Sequence, residues 1–142
     1  MYDVLTIADY VIAYYKNVDS VVSNLKLQKI LYFLQAAFLI EMDKPLFDSD
    51  IEAWSFGPVI PVVYDKFKLF GAASIPDTNV KMPTILNKDS EIIDGLLERV
   101  KDLSSTLLTQ ITLHQTPWIR NYSKYSHRII PNAEIKEYFM ED

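Results

Sequence analysis

The feature that most constrains the fold is an apolar stretch with helical periodicity between Leu25 and Met42. Its apolar residues form two rows on a helix, which are Leu27, Leu31, Leu34 and Phe38 in one and Ile30, Phe33, Ala37 and Ile40 in the other. A helix that is apolar around most of its circumference is buried at the centre of a domain. The pattern therefore predicts a central helix around which the other elements pack.

Shorter amphipathic patterns on both sides of this helix predict further helices, and residues 51–56 and 128–130 have the character of short extended segments. We therefore expect a mainly α fold, compact and single-domain, with six or seven helices and a minor short β element near 51–56 and 128–130. A chain of 142 residues is most simply one domain spanning 1–142.

Two local predictions concern glycines. Gly57 and Pro58 are expected to open a helix, either directly with a distorted first turn or with regular helix only from Pro61 onwards. Gly95 lies inside a predicted helix, where glycine costs about 1 kcal/mol relative to alanine. Close packing against a neighbouring element would explain its presence there.

Composition narrows the class of protein. The chain has no cysteine, which excludes disulfides and thiolate metal sites and fits an intracellular protein. Its net charge of −5 argues against a whole-surface nucleic-acid binder. No basic signal-peptide region precedes an apolar one, and the apolar window 30–40 is too short to span a bilayer. A cytoplasmic location without membrane association is expected.

The sequence contains no recognisable catalytic, cofactor or metal motif. It has two histidines, His114 and His127, and too few glycines for a phosphate-binding loop. The acidic stretch 41–52 lacks the spacing of a calcium loop, so an outward-facing, solvated turn is favoured. We therefore expect no catalytic residues, no cofactor, no metal and no enzymatic activity.

Residues 114–128 combine aromatic and basic side chains without any acid. Three interpretations stay open for this segment: a single-stranded nucleic-acid site, a site for an acidic protein partner, or an internal partner for the acids of 41–52 with Trp118 in the core. For His114 a structural hydrogen-bonded role is favoured over a catalytic one.

Several blocks resemble the Panacea antitoxin domain, which also occurs in SocA-like and phage-associated GepA-like proteins. The first is residues 27–35, LQKILYFLQ, and the second runs through KPLF at 44–47, IEAW at 51–54 and GPVIPVVY at 57–64. A third comprises Thr112, His114, Pro117 and Trp118, followed by Ile135, Tyr138 and Phe139. The blocks cover nearly the whole chain in the family's order, which identifies 1–142 as a single Panacea-like domain.

The resemblance implies a non-catalytic, protein-binding antitoxin that neutralises the cognate toxin of a two-gene toxin–antitoxin module, in some settings phage- or prophage-associated. The expected partner is the toxin protein, encoded next to it. One alternative is a proteolytic adaptor that also contacts a cellular protease. Another is a nucleic-acid-binding regulator that uses residues 114–128, which the acidic net charge disfavours.

Eight residues are candidates for partner binding: Gln28, Lys29, Tyr32, Trp54, Tyr64, His114, Trp118 and Arg120. Gln28, Lys29 and Tyr32 are expected on the one edge of the central helix that faces solvent or a partner. For the two tryptophans and Tyr64, packing within the domain is favoured over a role as binding anchors.

Overall fold

The structure is a computed structural model that describes residues 1–76 and 80–141. The described residues form seven α-helices and three short strands, and a 3-10 turn follows the third helix. In chain order the elements are α1 Val4–Asn17, α2 Asn24–Glu41, β1 Glu52–Trp54, β2 Gly57–Val59, α3 Pro61–Phe67, α4 Asn87–Val100, α5 Ser105–Leu113, α6 Thr116–Asn121, β3 Arg128–Ile129 and α7 Asn132–Met140. The predicted mainly α fold is confirmed.

Helix α2 lies at the centre of the domain. The hydroxyl of Ser23 caps its first turn by accepting a hydrogen bond from the backbone N–H of Lys26. The helix contacts α1, α3, α4, α5, α7 and β2, and both of its predicted apolar rows supply core residues. The prediction of a central, buried helix is confirmed. Within residues 1–76 and 80–141, no helix combines the length and the apolar character needed to cross a membrane.

The three strands form a small antiparallel sheet in the order β2-β1-β3. Trp54 pairs with Gly57 across the β1–β2 turn, and Glu52 pairs with Ile129 on the other side. Both predicted extended segments are therefore strands. The sheet packs against α2 and α5 through β2, which places the β1–β2 turn at the rim of the core.

The expectation of a helix that opens directly at Gly57–Pro58 is wrong, because these residues pair as a strand. Gly57 has φ +108°, which no helical residue adopts. Regular helix begins at Pro61, the second of the two alternatives, with proline in its first turn. Gly57 and Pro58 are thus part of the sheet, and α3 begins after the sheet ends.

Helices α1 and α4 are joined by tyrosine hydrogen bonds: the hydroxyl of Tyr10 donates to Asp94 Oδ1 at 2.6 Å, and that of Tyr15 donates to the carbonyl of Leu97 at 2.9 Å. The described residues do not pack closely against Gly95, contrary to expectation. Among them, a Cβ atom there would meet only Arg99 Nη1, at 3.9 Å, which is ordinary van der Waals contact. The structure gives no packing reason for a glycine at this position.

Candidate functional site

A row of polar side chains on α2 is buried instead of exposed. Gln28, Lys29 and Tyr32 have no solvent-exposed surface, and neither has Gln35 one to two turns further along. The expectation that the first three face solvent is therefore wrong. The physical reason is that α2 packs against six other elements, so its polar edge contacts the chain segment 46–60 and the end of α5 instead of solvent. We call these four residues the buried polar row.

The amides of the buried polar row bind backbone groups of the segment that precedes and forms the sheet. Gln35 Oε1 accepts from the N–H groups of Leu46 and Phe47 at 2.8 and 3.2 Å, and its Nε2 donates to the carbonyl of Phe47 at 2.9 Å. Gln28 Oε1 accepts from the N–H of Ile60 at 2.8 Å. These bonds replace the regular backbone partners that an irregular buried segment would otherwise lack.

Tyr32 belongs to the same row but binds a side chain instead of the backbone. Its hydroxyl donates to Gln115 Oε1 at 2.7 Å, at the junction between α5 and α6. Burial raises the pKa of Tyr32 well above its ordinary value, so the hydroxyl stays protonated and able to donate. The junction is thereby held next to α2.

Lys29 is the charged member of the row. Its Nζ donates to the carbonyl of Pro58 at 3.0 Å and lies 5.4 Å from the centre of the Phe56 ring. No ion pair within the described ranges includes this ammonium group. Burial lowers the pKa of Lys29 to about 7, because the charged form loses its hydration. The side chain thus lies directly beneath the β1–β2 turn.

Gly57 is required by this arrangement. A Cβ atom at this position would lie 2.8 Å from both Lys29 Cε and Thr112 Oγ1, and its φ of +108° is itself unfavourable for other residues. The glycine therefore allows the turn to approach both α2 and α5 closely.

Above this buried support the turn presents a partly exposed group of rings, which we call the aromatic turn surface. It consists of Trp54, Phe56, Tyr64 and His127. The Trp54 ring lies 4.3 Å from the stacked His127 ring and 5.0 Å from that of Tyr64, between centroids. Trp54 Nε1 donates to Glu52 Oε1 at 2.9 Å, which fixes the indole orientation. Trp54 and Tyr64 pack against each other, in agreement with the packing role expected of them, and both remain partly accessible.

Trp118 joins α6 to the same surface. Its Nε1 donates to the backbone carbonyl of Trp54 at 2.7 Å, and its ring stacks on that of Tyr122 at 4.8 Å. Arg120, on the same helix, is exposed and lies 3.8 Å from Glu134. His114, which follows the last residue of α5, is also exposed, but its Nδ1 donates to the carbonyl of Gln110 in α5 at 2.8 Å. The structure therefore connects Trp54, Tyr64 and Trp118, and does not bring His114 into that cluster.

Two hollows flank the aromatic turn surface. The first has a volume of about 400 Å³ and is lined by Ser55 and residues 122–127; we call it the polar hollow. The second, the apolar hollow, has about 380 Å³ and is lined mainly by Leu25, Phe56, Tyr64 and Ala72. Ser55 and Phe56 are neighbours in the turn, so the turn forms a ridge between the two.

The basic-aromatic segment 114–128 is divided between the core and the surface. Trp118 packs against the core, whereas residues 124–129 are exposed, with Tyr125 accessible over 85% of its surface. Within the described ranges the acids of 41–52 meet this segment at one ion pair, His127 Nδ1 to Glu52 Oε1 at 3.8 Å. The charged residues of 41–52 otherwise point outward, as expected, and Asp43 pairs with Lys136 of α7.

Sequence reasoning gave no role to Phe56 or Lys68, which line the apolar hollow. Phe56 could have been recognised from its spacing, because residues two apart in an extended segment share a face, and Trp54 was already a candidate. Nothing in the local pattern points to Lys68, which reaches the hollow only because the 3-10 turn at Lys68–Phe70 follows α3.

Comparisons with known proteins bear on this site. The family model described as "Antitoxin SocA-like, Panacea domain" matches residues 27–119, a range that contains the buried polar row, the β1–β2 turn and Trp118. Antitoxin SocA of Caulobacter vibrioides (strain NA1000 / CB15N) is 39% identical over 90 residues, which cover 58% of this chain and 47% of that protein. The chain thus spans about half the length of the curated relative it matches. No solved structure matches the chain significantly.

Proposed function

The chain belongs to the family of SocA-like antitoxins with a Panacea domain, and from this premise we propose that it neutralises a toxin protein by binding it, without catalysis. The toxin is the product of an adjacent gene, in a two-gene module that can be carried by a phage or prophage. Binding takes place in the cytoplasm, and the whole of 1–142 acts as one Panacea-like domain.

The observation that carries this proposal is the aromatic turn surface. Tryptophan, tyrosine and arginine are the residues that contribute most to binding energy at protein interfaces. Here Trp54 and Tyr64 are accessible together, 5.0 Å apart between ring centroids, with the exposed Arg120 on the neighbouring α6. An accessible ring cluster of this kind fits a protein partner better than a small substrate.

The eight candidate residues acquire different roles under this proposal. Trp54, Tyr64, Trp118 and Arg120 contact the toxin or lie beside the contact. Gln28, Lys29 and Tyr32 support the surface from within, since each is fully buried. His114 lies at the exposed end of α5 and makes a peripheral contact.

Growth rescue tests the proposal. The chain is co-expressed with the product of the adjacent open reading frame, and the wild-type protein is expected to restore growth and to co-purify with it. The variants Trp54→Ala and Tyr64→Ala should lose both effects. Tyr14→Ala is the matched control, because Tyr14 is also a half-buried tyrosine but bonds to Glu98 on α4. Full rescue by both surface variants would refute the aromatic turn surface as the binding site, and no rescue by the wild type would refute the antitoxin role.

Two further roles stay as secondary proposals. A proteolytic adaptor would accelerate loss of the toxin in cells that contain the protease, which a pulse-chase measurement of toxin half-life detects. One observation favours a nucleic-acid-binding regulator, namely that Lys124, Tyr125 and Arg128 are exposed. Retention of the protein on single-stranded DNA with a steep salt dependence would favour it.

A further inference from the structure

The ridge at Ser55–Phe56 separates two hollows of unlike chemistry. The polar hollow, of about 400 Å³, is lined by three serines, two tyrosines, His127 and Lys124. Among the described residues no acid belongs to this lining, and the carboxylate of Glu52 lies 3.8 Å from His127 Nδ1. Hydroxyl groups and a cation together form good partners for a carboxylate, because they offer donors and a compensating charge. An anionic group is therefore the ligand that this hollow suits.

The apolar hollow accommodates a different group. Leu25, Phe56, Tyr64 and Ala72 provide most of its wall, and Lys68 lies at its side with an ion-pair partner already present, Asp65 at 3.7 Å. Its volume of about 380 Å³ can receive an aromatic or branched aliphatic side chain. Burying such a side chain contributes favourable transfer free energy that no charged group could supply there.

We infer that the partner presents one segment across the Ser55–Phe56 ridge, with an aspartate or glutamate in the polar hollow and a bulky apolar residue in the apolar hollow. This inference rests on the proposed function and specifies the chemistry of the toxin's contact segment. Charge supports it, because Lys124 lines the polar hollow and has no ion-pair partner among the described residues, whereas Arg120 and His127 lie beside Glu134 and Glu52. The chain as a whole has a net charge of −5, so an acidic segment is attracted to Lys124 and repelled by the overall negative charge.

The ridge is held in place before any partner arrives. Trp118 Nε1 fixes the carbonyl of Trp54, the Trp54 indole is bonded to Glu52, and the His127 ring stacks on it. Lys29 binds the Pro58 carbonyl from below. Because these groups are already ordered, binding loses less conformational entropy. A polynucleotide would place phosphates in the polar hollow and a base against Phe56 or Tyr64. The net charge of −5 disfavours such a polyanion, so a protein segment with a single acidic residue is the better occupant.

A peptide selection tests this inference without knowledge of the toxin. The immobilised full-length chain is exposed to a displayed library of random linear and disulfide-looped peptides. The enriched sequences should combine Asp or Glu with Trp, Phe or Leu at a recurring spacing. Synthetic forms of these peptides should bind the Lys124→Glu and Tyr64→Ala variants at least tenfold more weakly than the wild type. Arg99→Glu, a charge reversal on α4, is the matched control and should bind as the wild type does.

Other outcomes overturn the inference. These are the absence of enrichment, enrichment of basic peptides, equal binding by wild type and both surface variants, or complete displacement of the peptides by an equimolar oligothymidylate. Thermal melts of each variant show whether it is folded. Rescue of growth is scored separately: rescue that persists in Lys124→Glu and Tyr64→Ala refutes this surface and leaves the antitoxin role intact. Selected peptides without any rescue by the wild type would refute the antitoxin role and leave the surface intact.

Discussion

The buried polar row and the aromatic turn surface use their polar and aromatic groups in opposite ways. In the row, Gln28, Lys29, Tyr32 and Gln35 have no exposed surface, and each donates or accepts a hydrogen bond at 2.7 to 3.2 Å. In the surface, Trp54 and Tyr64 contact each other through rings and remain accessible to solvent. The two regions meet at Pro58, whose carbonyl accepts from Lys29.

We infer from this difference that the buried polar row stabilises the fold and that the aromatic turn surface binds the partner. A buried hydrogen bond that loses one partner leaves the other unsatisfied, so changes in the row should appear as lost stability. An accessible ring can be removed with little effect on folding, so changes in the surface should appear as lost binding.

The largest effect is expected at Gln35. Replacing it with alanine (Gln35→Ala) leaves the N–H groups of Leu46 and Phe47 buried without an acceptor and creates a cavity beside α2. We expect the free energy of unfolding to fall by about 3–5 kcal/mol. Urea denaturation measures it, and Gln110→Ala, at an exposed position of α5, is the control with little expected change. If Gln35→Ala lost no more stability than Gln110→Ala, the buried polar row would not be what stabilises this part of the fold.

A pair of glycine variants should give effects of opposite sign. Gly57→Ala places a Cβ atom 2.8 Å from Lys29 Cε and Thr112 Oγ1 at a φ of +108°, so the protein should lose about 2–3 kcal/mol of stability. Gly95→Ala meets only Arg99 Nη1 at 3.9 Å and should gain about 0.5–1 kcal/mol. Thermal melts compare the two. Equal losses at both positions would show that the close approach at the turn is not what requires glycine.

Lys29 should make stability depend on pH. Its folded pKa of about 7 lies below the ordinary value of 10.5, so between these values the unfolded chain binds a proton that the folded chain does not. Stability should therefore rise with pH, by up to about 2 kcal/mol from about pH 7 to about pH 9. Burial also lowers the pKa of Lys26, so a smaller rise should persist in Lys29→Met.

Urea denaturation of the wild type and of Lys29→Met at about pH 7 and about pH 9 tests this pH dependence. Lys88→Met, at the exposed start of α4, is the control in which stability should rise with pH as much as in the wild type. If stability rose equally with pH in Lys29→Met and in the wild type, the pH dependence would come from groups other than Lys29.

The sequence was sufficient for the architecture because periodicity reports burial. The continuous apolar rows of α2 predict a central helix, and in the structure it packs against six other elements. The same reasoning failed for Gln28, Lys29 and Tyr32. Polarity predicts exposure only when no buried partner is available, and here the partners are backbone groups of Pro58 and Ile60 and a side chain at Gln115. Such contacts are distant in sequence, so no local pattern reveals them.

The candidate surface was predictable in part for a similar reason. Trp54, Tyr64 and Trp118 were recognised through the resemblance to a family, and the structure brings them together. The stacking of His127 on Trp54 depends on the pairing of β3 with β1, a register that two short extended segments do not determine by themselves. The start of α3 was open for the same kind of reason, since Gly57 and Pro58 are compatible with both a helix start and a tight turn.

The smallest effect on folding is expected at Tyr125, and this makes it the sharpest test of the comparison. The side chain is 85% exposed and borders the polar hollow, so Tyr125→Ala should change the free energy of unfolding by less than about 0.5 kcal/mol. Affinity for the toxin, measured by titration calorimetry, should nevertheless fall several-fold because tyrosine supplies contact area beside the acidic residue. Tyr138→Ala on α7 is the control, which should reduce stability through its ring contact with Phe139 and leave affinity unchanged. If Tyr125→Ala instead lowered the free energy of unfolding as much as Tyr138→Ala, residues 122–127 would stabilise the fold. Partner recognition would then be limited to residues from Arg128 onwards in this segment.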